Sequence, residues 1–156
     1  MLFRSRQLSQ VYRYVLDSGS QELVPLADEL RFAESYLFLQ KTRLGAALAV
    51  EMTLPPALAL APYFVPPLAL QLLLENAVKH NTALQDAPLH VHVALDAAAG
   101  TLTVRNTLRS RRLAPGEASG LGLQNLAARY AFFTDQKIEA GPQGDDFVAV
   151  LPLLII

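Results

Sequence analysis

The spacing of apolar residues divides the chain into helical and extended stretches. Apolar residues three and four positions apart predict a helix over residues 2 to about 16 and a second over about 26 to 43, separated by the breaker Asp17-Ser18-Gly19-Ser20. The second helix has two apolar rows, which are Leu26, Leu30, Ala33, Leu37 and Phe32, Tyr36, Leu39. Because two such helices cannot bury both rows alone, the pattern suggests a dimer or further sequence upstream.

Alternating apolar and polar residues predict strands in the middle of the chain. Residues 48 to 54 alternate in this way, and residues 89 to 95 and 101 to 106 form a predicted hairpin around a turn at 96 to 100. A final hairpin is predicted for residues 137 to 140 and 147 to 151, around a turn at 141 to 144.

Asn106 is a polar residue whose side chain is predicted to point towards the core. Period-two counting points Leu102 and Val104 towards the core, and Asn106 points the same way. One interpretation is a turn-forming residue at a fraying strand end, and the other is an amide presented to a buried ligand.

Residues 67 to 80, PLALQLLLENAVKH, predict an apolar helix that carries Glu75, Asn76, Lys79 and His80 along one edge. One interpretation is an ordinary ion pair between Glu75 and Lys79, worth about 0.2–0.5 kcal/mol. The other is a magnesium-nucleotide site, where an amide oxygen binds the cation, a carboxylate orients water or a hydroxyl, and an ammonium group meets phosphate.

Residues 53 to 74 carry no charge over 22 positions, which is long enough for a membrane-spanning helix. The prolines in this stretch exclude that interpretation, because each would break a helix in lipid and leave backbone groups unsatisfied. They are Pro55, Pro56, Pro62, Pro66 and Pro67. We expect a buried loop leading to a helix whose first residue is Pro67. The polar start of the sequence, MLFRSRQLSQ, shows no signal peptide.

Residues 107 to 119, TLRSRRLAPGEAS, have no clear periodicity and predict a long mobile loop, of the kind that often acts as a lid. The loop ends in Ser119-Gly120-Leu121-Gly122-Leu123, which runs into a predicted helix of about residues 122 to 133. Glycines before a helix let its first N–H groups approach phosphate. The dinucleotide-binding fingerprint is not met, because no strand directly precedes the glycines and Gln124-Asn125 take the place of the third one.

The composition narrows the function classes. The 156 residues suit one domain with an accessory element. Thirteen basic against fourteen acidic residues give a net charge of −1, so no nucleic-acid partner is expected. The sequence has no cysteine, which excludes disulfides, thiolate zinc sites and thiol nucleophiles. His90 and His92 form a His-x-His pair on the outer face of a strand, but no third metal ligand accompanies them.

In this order, the polar helix, the inward asparagine, the basic loop and the Gly-Leu-Gly sequence resemble the sensor histidine kinases of the LytS/YehU type. These kinases share a superfamily with the gyrase and MutL ATPases. The N box of that family reads approximately I-P-P-L-x-L-Q-P-L-V-E-N-A-x-K-H, and residues 65 to 80, VPPLALQLLLENAVKH, follow it almost throughout. Nearly the whole chain is covered by the resemblance.

The resemblance implies a fold and a division of the chain. The fold is an α/β two-layer sandwich of the Bergerat or GHKL ATPase type, with a mixed, mainly antiparallel sheet, helices on one face and two preceding helices. Residues 1–45 are expected to be the C-terminal remnant of the dimerisation region, and residues 46–156 the ATP-binding catalytic domain.

Roles for individual residues also follow from the resemblance. Asn76 is expected to hold the Mg²⁺ that bridges the phosphates of ATP, Glu75 to be the catalytic acidic residue of the N box, and Lys79 and His80 to approach the phosphates. Residues 107 to 119 correspond to the ATP lid. Other cofactor-binding residues are Asn106, Gly120, Leu121 and Gly122, and Arg109, Arg111 or Arg112 could contact phosphate.

Three departures from the family pattern stand out. Asn106 replaces the aspartate that accepts a hydrogen bond from adenine, and its side-chain oxygen can still accept this bond without supplying charge. Gly144-Asp145-Asp146 replaces the late Gly-Thr pair. No Pro-His-Phe segment with the phosphate-accepting histidine is found, so the chain is expected to be a fragment in which residues 1 to about 20 end a truncated dimerisation helix.

The function implied by the resemblance is that of a histidine kinase domain. It would bind Mg-ATP, transfer the γ-phosphoryl group to a histidine on a missing upstream segment, and then pass it to a response regulator. The full-length protein would be a homodimer, anchored to the membrane through missing segments, with this part in the cytoplasm. Two other hypotheses stay open: a nucleotide-free signalling or dimerisation module, and an ATP hydrolase in which Glu75 activates water.

Overall fold

A computed structural model describes residues 22–109 and 121–156 of the chain. The helices are α1 (Leu26–Leu44), α2 (Ala57–Leu60), α3 (Ala69–Lys79) and α4 (Leu121–Ala131), with a 3₁₀ turn at Gly45–Ala47. The strands are β1 (Val24–Pro25), β2 (Leu48–Thr53), β3 (Phe64–Val65), β4 (Leu89–Asp96), β5 (Thr101–Thr107), β6 (Glu139–Gln143) and β7 (Asp146–Pro152). The helix predicted for residues 2 to about 16 and most of the predicted lid lie outside the described residues.

Five strands form one sheet in the order β2-β4-β5-β7-β6. The β2–β4 pair is parallel, and the other three pairs are antiparallel. Helices α1 and α3 contact this sheet, and α4 contacts α3 on the same side. The predicted α/β two-layer sandwich with a mixed, mainly antiparallel sheet is therefore confirmed.

The predicted alternation of the central hairpin is confirmed by burial. Inward residues of β4 and β5 are buried beneath the helices, and they are Leu89, Val91, Val93, Leu102 and Val104. His90 lies exposed on the opposite face of β4, and His92 is half-buried there. One face of the sheet thus forms the core, and the other carries polar side chains.

Helix α1 packs its apolar side into this core. Acidic residues in its first turn and basic residues in its last turn suit the helix dipole. The predicted row Leu26, Leu30, Ala33 and Leu37 is buried in the same hydrophobic cluster as the sheet residues. Burial of this row therefore needs no second chain. The predicted domain boundary at residues 45 and 46 stays a prediction, although the core runs continuously across it.

The charge-free stretch was predicted as a buried loop, and this was wrong in part. It contains the short helix α2, where Leu58 is 91% exposed, and the strand β3. Strand β3 pairs with β1, about forty positions earlier, and Phe64 also bridges to Leu154. Such pairing between distant segments leaves no signal in local periodicity.

Helix α3 does not begin at Pro67, which corrects the sequence prediction. Its first residue is Ala69, and the preceding Leu68 has φ 65° and ψ 15°, in the left-handed region. A left-handed conformation costs a non-glycine residue about 1–2 kcal/mol. Contacts from other parts of the fold must therefore hold Leu68 in place.

The C-terminal hairpin is shifted from its predicted turn. Strand β6 includes Gly141, Pro142 and Gln143, and the turn consists of Gly144 and Asp145. Gly144 has φ 59°, as the first central residue of a type II′ hairpin turn does. Pro142 is tolerated in a strand because β6 lies at the edge of the sheet.

Among the residues that the structure describes, no helix combines the length and the apolar character needed to cross a membrane.

We predict that Gly144→Ala lowers the free energy of unfolding by about 1 kcal/mol, because alanine is strained at a positive φ. Gly141→Ala in the same hairpin is the control, since Gly141 has no positive φ and an added Cβ would meet no atom within 4 Å. Urea unfolding compares the two variants. Equal stability of the two would contradict the assigned turn.

Candidate functional site

A pocket of about 270 Å³ lies where the C-terminal end of α3 meets the sheet and the start of α4. Its wall is mainly apolar, and three side-chain amides and one imidazole interrupt it. The lining residues are Leu73, Asn76, Ala77, His80, Asn81, Val104, Asn106, Leu108, Leu123, Phe147 and Ala149. Of the described residues, none that lines this pocket is Asp, Glu, Lys or Arg.

Helix α3 brings its polar edge to the pocket by burying its apolar side. Leu70, Leu73, Leu74 and Ala77 pack into the core, which fixes the rotation of the helix about its axis. Asn76 and His80, four positions apart and therefore on one ridge, both line the pocket.

Asn106 meets these residues from the end of β5, as its strand phase predicted. It is 4% exposed, and its side-chain nitrogen donates a hydrogen bond of 2.9 Å to the Thr107 carbonyl. Because a carbonyl can only accept, the amide nitrogen must face Thr107. The amide oxygen is thus the acceptor that Asn106 can offer to a ligand.

Asn81 lines the pocket as well, although no motif in the sequence pointed to it. Its amide nitrogen donates to the Ala77 carbonyl at 2.9 Å, and its amide oxygen accepts from the Arg109 backbone N–H at 2.9 Å. Asn81 therefore joins the end of α3 to the chain that leaves β5. A polar residue directly after the predicted helix was the available signal.

Arg109 is engaged with the protein backbone. Its guanidinium group donates to the carbonyls of Ala87 (2.7 Å) and Pro88, and it supports the loop before β4. This arrangement gives Arg109 a structural role in place of the suggested phosphate contact. Arg111 and Arg112 lie outside the described residues.

Glu75 and Lys79 are exposed and do not line the pocket. Glu75 accepts a hydrogen bond of 3.0 Å from the Gln71 amide. No Glu75–Lys79 ion pair occurs among the described side chains. Burial raises the pKa of Tyr36 on α1 to about 12, and the charge of Glu75 adds to this increase. Glu75 therefore lies near Tyr36 of α1.

The glycine segment comprises residues 119 to 123, and the structure describes only its second half. Gly120 lies outside the described residues, and Leu121 is the first residue of α4. A Cβ added to Gly122 would stand 2.8 Å from Leu72 Cδ1, so the missing side chain lets α4 approach α3 closely. Leu123 in the same turn lines the pocket. The N-terminal end of α4 thus borders the pocket and can present N–H groups to an anion.

His90 and His92, the His-x-His pair, lie on the outer face of β4. His92 Nε2 lies 2.8 Å from the Thr53 hydroxyl. Over residues 22–109 and 121–156, no three His, Cys, Asp or Glu side chains are grouped so that they could hold a metal ion.

Solved structures show the class of fold. The Acinetobacter baumannii histidine kinase AdeS matches with a TM-score of 0.54 and 18% identity, over 99% of this chain and 76% of the other. A second structure, titled as a bacterial phosphotransferase, matches with a TM-score of 0.51 and 15% identity, over 93% and 71% of the two chains. At these identities the likeness shows the fold alone, which is that of the histidine kinases.

Sequence relatives define the family more closely. A family model described as histidine kinase matches residues 5–48. The sensor protein LytS of Enterococcus faecalis is 30% identical over 138 residues, which is 80% of this chain and 23% of LytS. LytS of Bacillus cereus is 39% identical over 74 residues (47% and 12% of the two chains), and the Escherichia coli sensor histidine kinase BtsS is 33% identical over 85 (51% and 15%).

The chain belongs to the sensor histidine kinases of the LytS type and represents their C-terminal region. It spans less than a quarter of the length of these curated relatives.

We predict that Asn81→Ala lowers the free energy of unfolding by about 1–3 kcal/mol, because it removes a buried amide and leaves the part-buried Arg109 N–H without its acceptor. Asn125→Ala, at an exposed position of α4, is the control and should change stability by less than about 0.5 kcal/mol. Chemical denaturation measures both. A loss in Asn81→Ala no larger than in the control would contradict the assigned role.

Proposed function

We propose that the pocket binds ATP with Mg²⁺ and that the chain supplies the catalytic domain of a two-component sensor histidine kinase. The observation that carries this proposal is the convergence of Asn76, His80 and Asn106 on one apolar pocket. Two separate segments of the sequence contribute these residues. Both match the family pattern at these positions, apart from the exchange of aspartate for asparagine at position 106.

The inner part of the pocket suits an adenine ring. Apolar side chains such as Leu73, Leu123 and Phe147 can cover the two faces of a flat heterocycle, and amides can read its edge. The amide oxygen of Asn106 accepts a hydrogen bond, as the replaced aspartate would, and the exocyclic amino group of adenine is a donor. We infer that the exchange keeps the recognition of adenine.

The phosphates are proposed to lie at the mouth of the pocket, since no charged residue among the described ones lines its wall. There they would meet Asn76, His80 and the N-terminal end of α4, with Lys79 nearby on the exposed side of α3. An amide oxygen is a ligand of the hard type that Mg²⁺ prefers, and Mg²⁺ in nucleotide sites is held largely by phosphates and water. Asn76 therefore fits a magnesium-nucleotide complex, in which the cation neutralises phosphate charge.

The proposed reaction is the transfer of the γ-phosphoryl group to a histidine from a segment outside this sequence. A lone pair on the imidazole nitrogen forms the new phosphorus–nitrogen bond while the bond to the bridging oxygen breaks, and ADP leaves. Positioning is the main contribution of the protein to such a reaction. Glu75 is proposed to orient the incoming histidine, because it is exposed and directly precedes the pocket residue Asn76 on α3.

The wider role rests on the family. We propose that the phosphoryl group then passes to a response regulator and that the full-length protein is a homodimer. A membrane anchor would come from other segments, with this part on the cytoplasmic side.

Calorimetric titration of ATP, with and without Mg²⁺, tests the proposed site. The intact chain should bind ATP more tightly with Mg²⁺, and Asn76→Ala should lose this difference and bind about 10- to 100-fold more weakly, as expected for a lost contact to a charged ligand. Asn125→Ala should bind like the intact chain. If the folded chain does not bind ATP in the presence of Mg²⁺, the proposal is wrong, and a nucleotide-free signalling module becomes the better account.

The inferred role of Asn106 gives a separate prediction, which is that the site prefers adenine over guanine. GTP should bind at least about tenfold more weakly than ATP, because guanine presents a carbonyl oxygen where adenine has its amino group, and two facing acceptors leave both groups unpaired. Competition between the two nucleotides measures the preference. Equal affinity would show that Asn106 does not read the base.

A further inference from the structure

The peptide bond between Pro67 and Leu68 is held from both sides by groups of opposite charge. The Leu68 N–H donates a hydrogen bond to Glu29 Oε1 of α1, and the Pro67 carbonyl accepts one of 2.6 Å from Arg129 Nη1 of α4. The two groups belong to one trans peptide unit and point in opposite directions. A rotation of this unit would therefore break both contacts. We refer to Glu29, this peptide unit and Arg129 as the peptide clamp.

The clamp is buried on its acidic side. Glu29 is 0% exposed, and a carboxylate in such surroundings is retained at a desolvation cost unless it forms strong hydrogen bonds. Burial raises the pKa of the adjacent Tyr130, and the charge of Glu29 raises it further. The Tyr130 hydroxyl donates to the Pro152 carbonyl at 3.1 Å. The surroundings of the clamp thus connect α1, α4 and the end of β7.

The clamp lies at the start of the helix that carries the candidate site. Leu68 occupies the left-handed region and directly precedes α3, whose first helical hydrogen bond runs from Leu72 N–H to the Leu68 carbonyl at 3.0 Å. No side chain caps this end of the helix locally, so the Glu29 carboxylate is the acceptor that meets the Leu68 N–H. The orientation of the clamped peptide unit therefore sets the direction in which α3 leaves.

A small change in the orientation of the clamped peptide unit produces a larger displacement at the far end of α3. Asn76 and His80 follow Leu68 by eight and twelve residues, which correspond to about 12 and 18 Å along the axis. A tilt of about 10° at the clamp would displace the last turn of α3 by about 3 Å. Such a displacement is comparable with the length of a hydrogen bond.

We propose that Glu29 and Arg129 are positioning residues for the nucleotide pocket, acting through the Pro67–Leu68 peptide on α3. The inference rests on the proposed function as far as the ligand is concerned. Glu29 lies within residues 5–48, which match the histidine kinase family model, whereas the pocket residues and Arg129 lie outside that match. The clamp therefore couples the position of α1 to the geometry of the site.

The test compares substitutions that keep or remove the acceptor for the Leu68 N–H. Glu29→Gln keeps an acceptor of similar size, Glu29→Met removes it, and Glu34→Met is the control at an exposed position of the same helix. Hydrogen exchange is measured at Leu72 in the first turn of α3 and at Val104 in the sheet. Calorimetry with Mg-ATP follows on samples whose circular dichroism shows an equal folded fraction.

We expect exchange at Leu72 to be about tenfold faster in Glu29→Met than in the control, while exchange at Val104 changes less than twofold. Affinity for Mg-ATP should fall about tenfold in Glu29→Met, and Glu29→Gln should restore most of it. The second member of the clamp gives an independent variant, Arg129→Met. It should show the same pattern, and combining it with Glu29→Met should add less than the sum of the two losses.

Two outcomes would overturn the inference. The first is unchanged exchange at Leu72 in both Glu29→Met and Arg129→Met. The second is an equal acceleration at Leu72 and Val104, which would indicate general destabilisation. If Glu29→Met does not fold, Arg129→Met decides by the same two readouts. Lack of ATP binding by the intact chain would refute the proposed function, and the exchange rates would still decide whether the clamp orients α3.

Discussion

The candidate site depends on the packing of α3 against the inner face of the sheet. Leu70, Leu73, Leu74 and Ala77 are buried in one cluster with residues of β4, β5 and β7. A fully buried leucine contributes about 1.5–3 kcal/mol, so these residues determine the rotation of the helix. With that rotation, Asn76 and His80 line the pocket at the end of β5, and Glu75 lies near Tyr36 of α1.

Polar contacts complement this apolar packing at the two ends of α3. At the C-terminal end, Asn81 and Asn106 are buried and hydrogen-bonded to backbone groups. At the N-terminal end, Glu29 and Arg129 hold the peptide unit before the helix. Buried polar groups of this kind favour one arrangement of the fold, because burying each of them costs free energy unless its hydrogen-bond partner is in place. The apolar packing of α3 thus stabilises the fold, and the polar contacts at its two ends fix the direction of the helix.

Much of this fold could be predicted from the sequence, since local periodicity reports which side of an element is buried. The alternation in β4 and β5 was sufficient to place Asn106 inward, and the polar edge of α3 was visible in the spacing of Asn76 and His80. The sequence could not show that Glu29 would meet the Leu68 N–H, because the two residues are 39 positions apart and a glutamate in a first helical turn has an ordinary local role.

The same limit applies to the charged residues near the site. Arg109 was a reasonable candidate for phosphate, yet its guanidinium group supports the carbonyls of a loop some twenty positions earlier. Glu75 could not be assigned to a side of α3 from helical spacing alone, because the position of α1 decides which side is covered. Residue types suggested which chemistry the candidate site could perform, while distant contacts decided which side chains line the pocket.

The short pairing of β1 with β3 has a mechanical consequence. Val24 and Pro25 pair with Val65 and Phe64, and Phe64 forms two backbone hydrogen bonds with Leu154, of 2.7 and 2.9 Å. The chain entering α1 is therefore joined side by side to the segment that leads into Pro67 and to the end of the sequence. A force or torque on the chain before Val24 would act in shear on these hydrogen bonds. It would be transmitted to the start of α3, because no flexible linker lies between β1 and α1 or between β3 and Pro67.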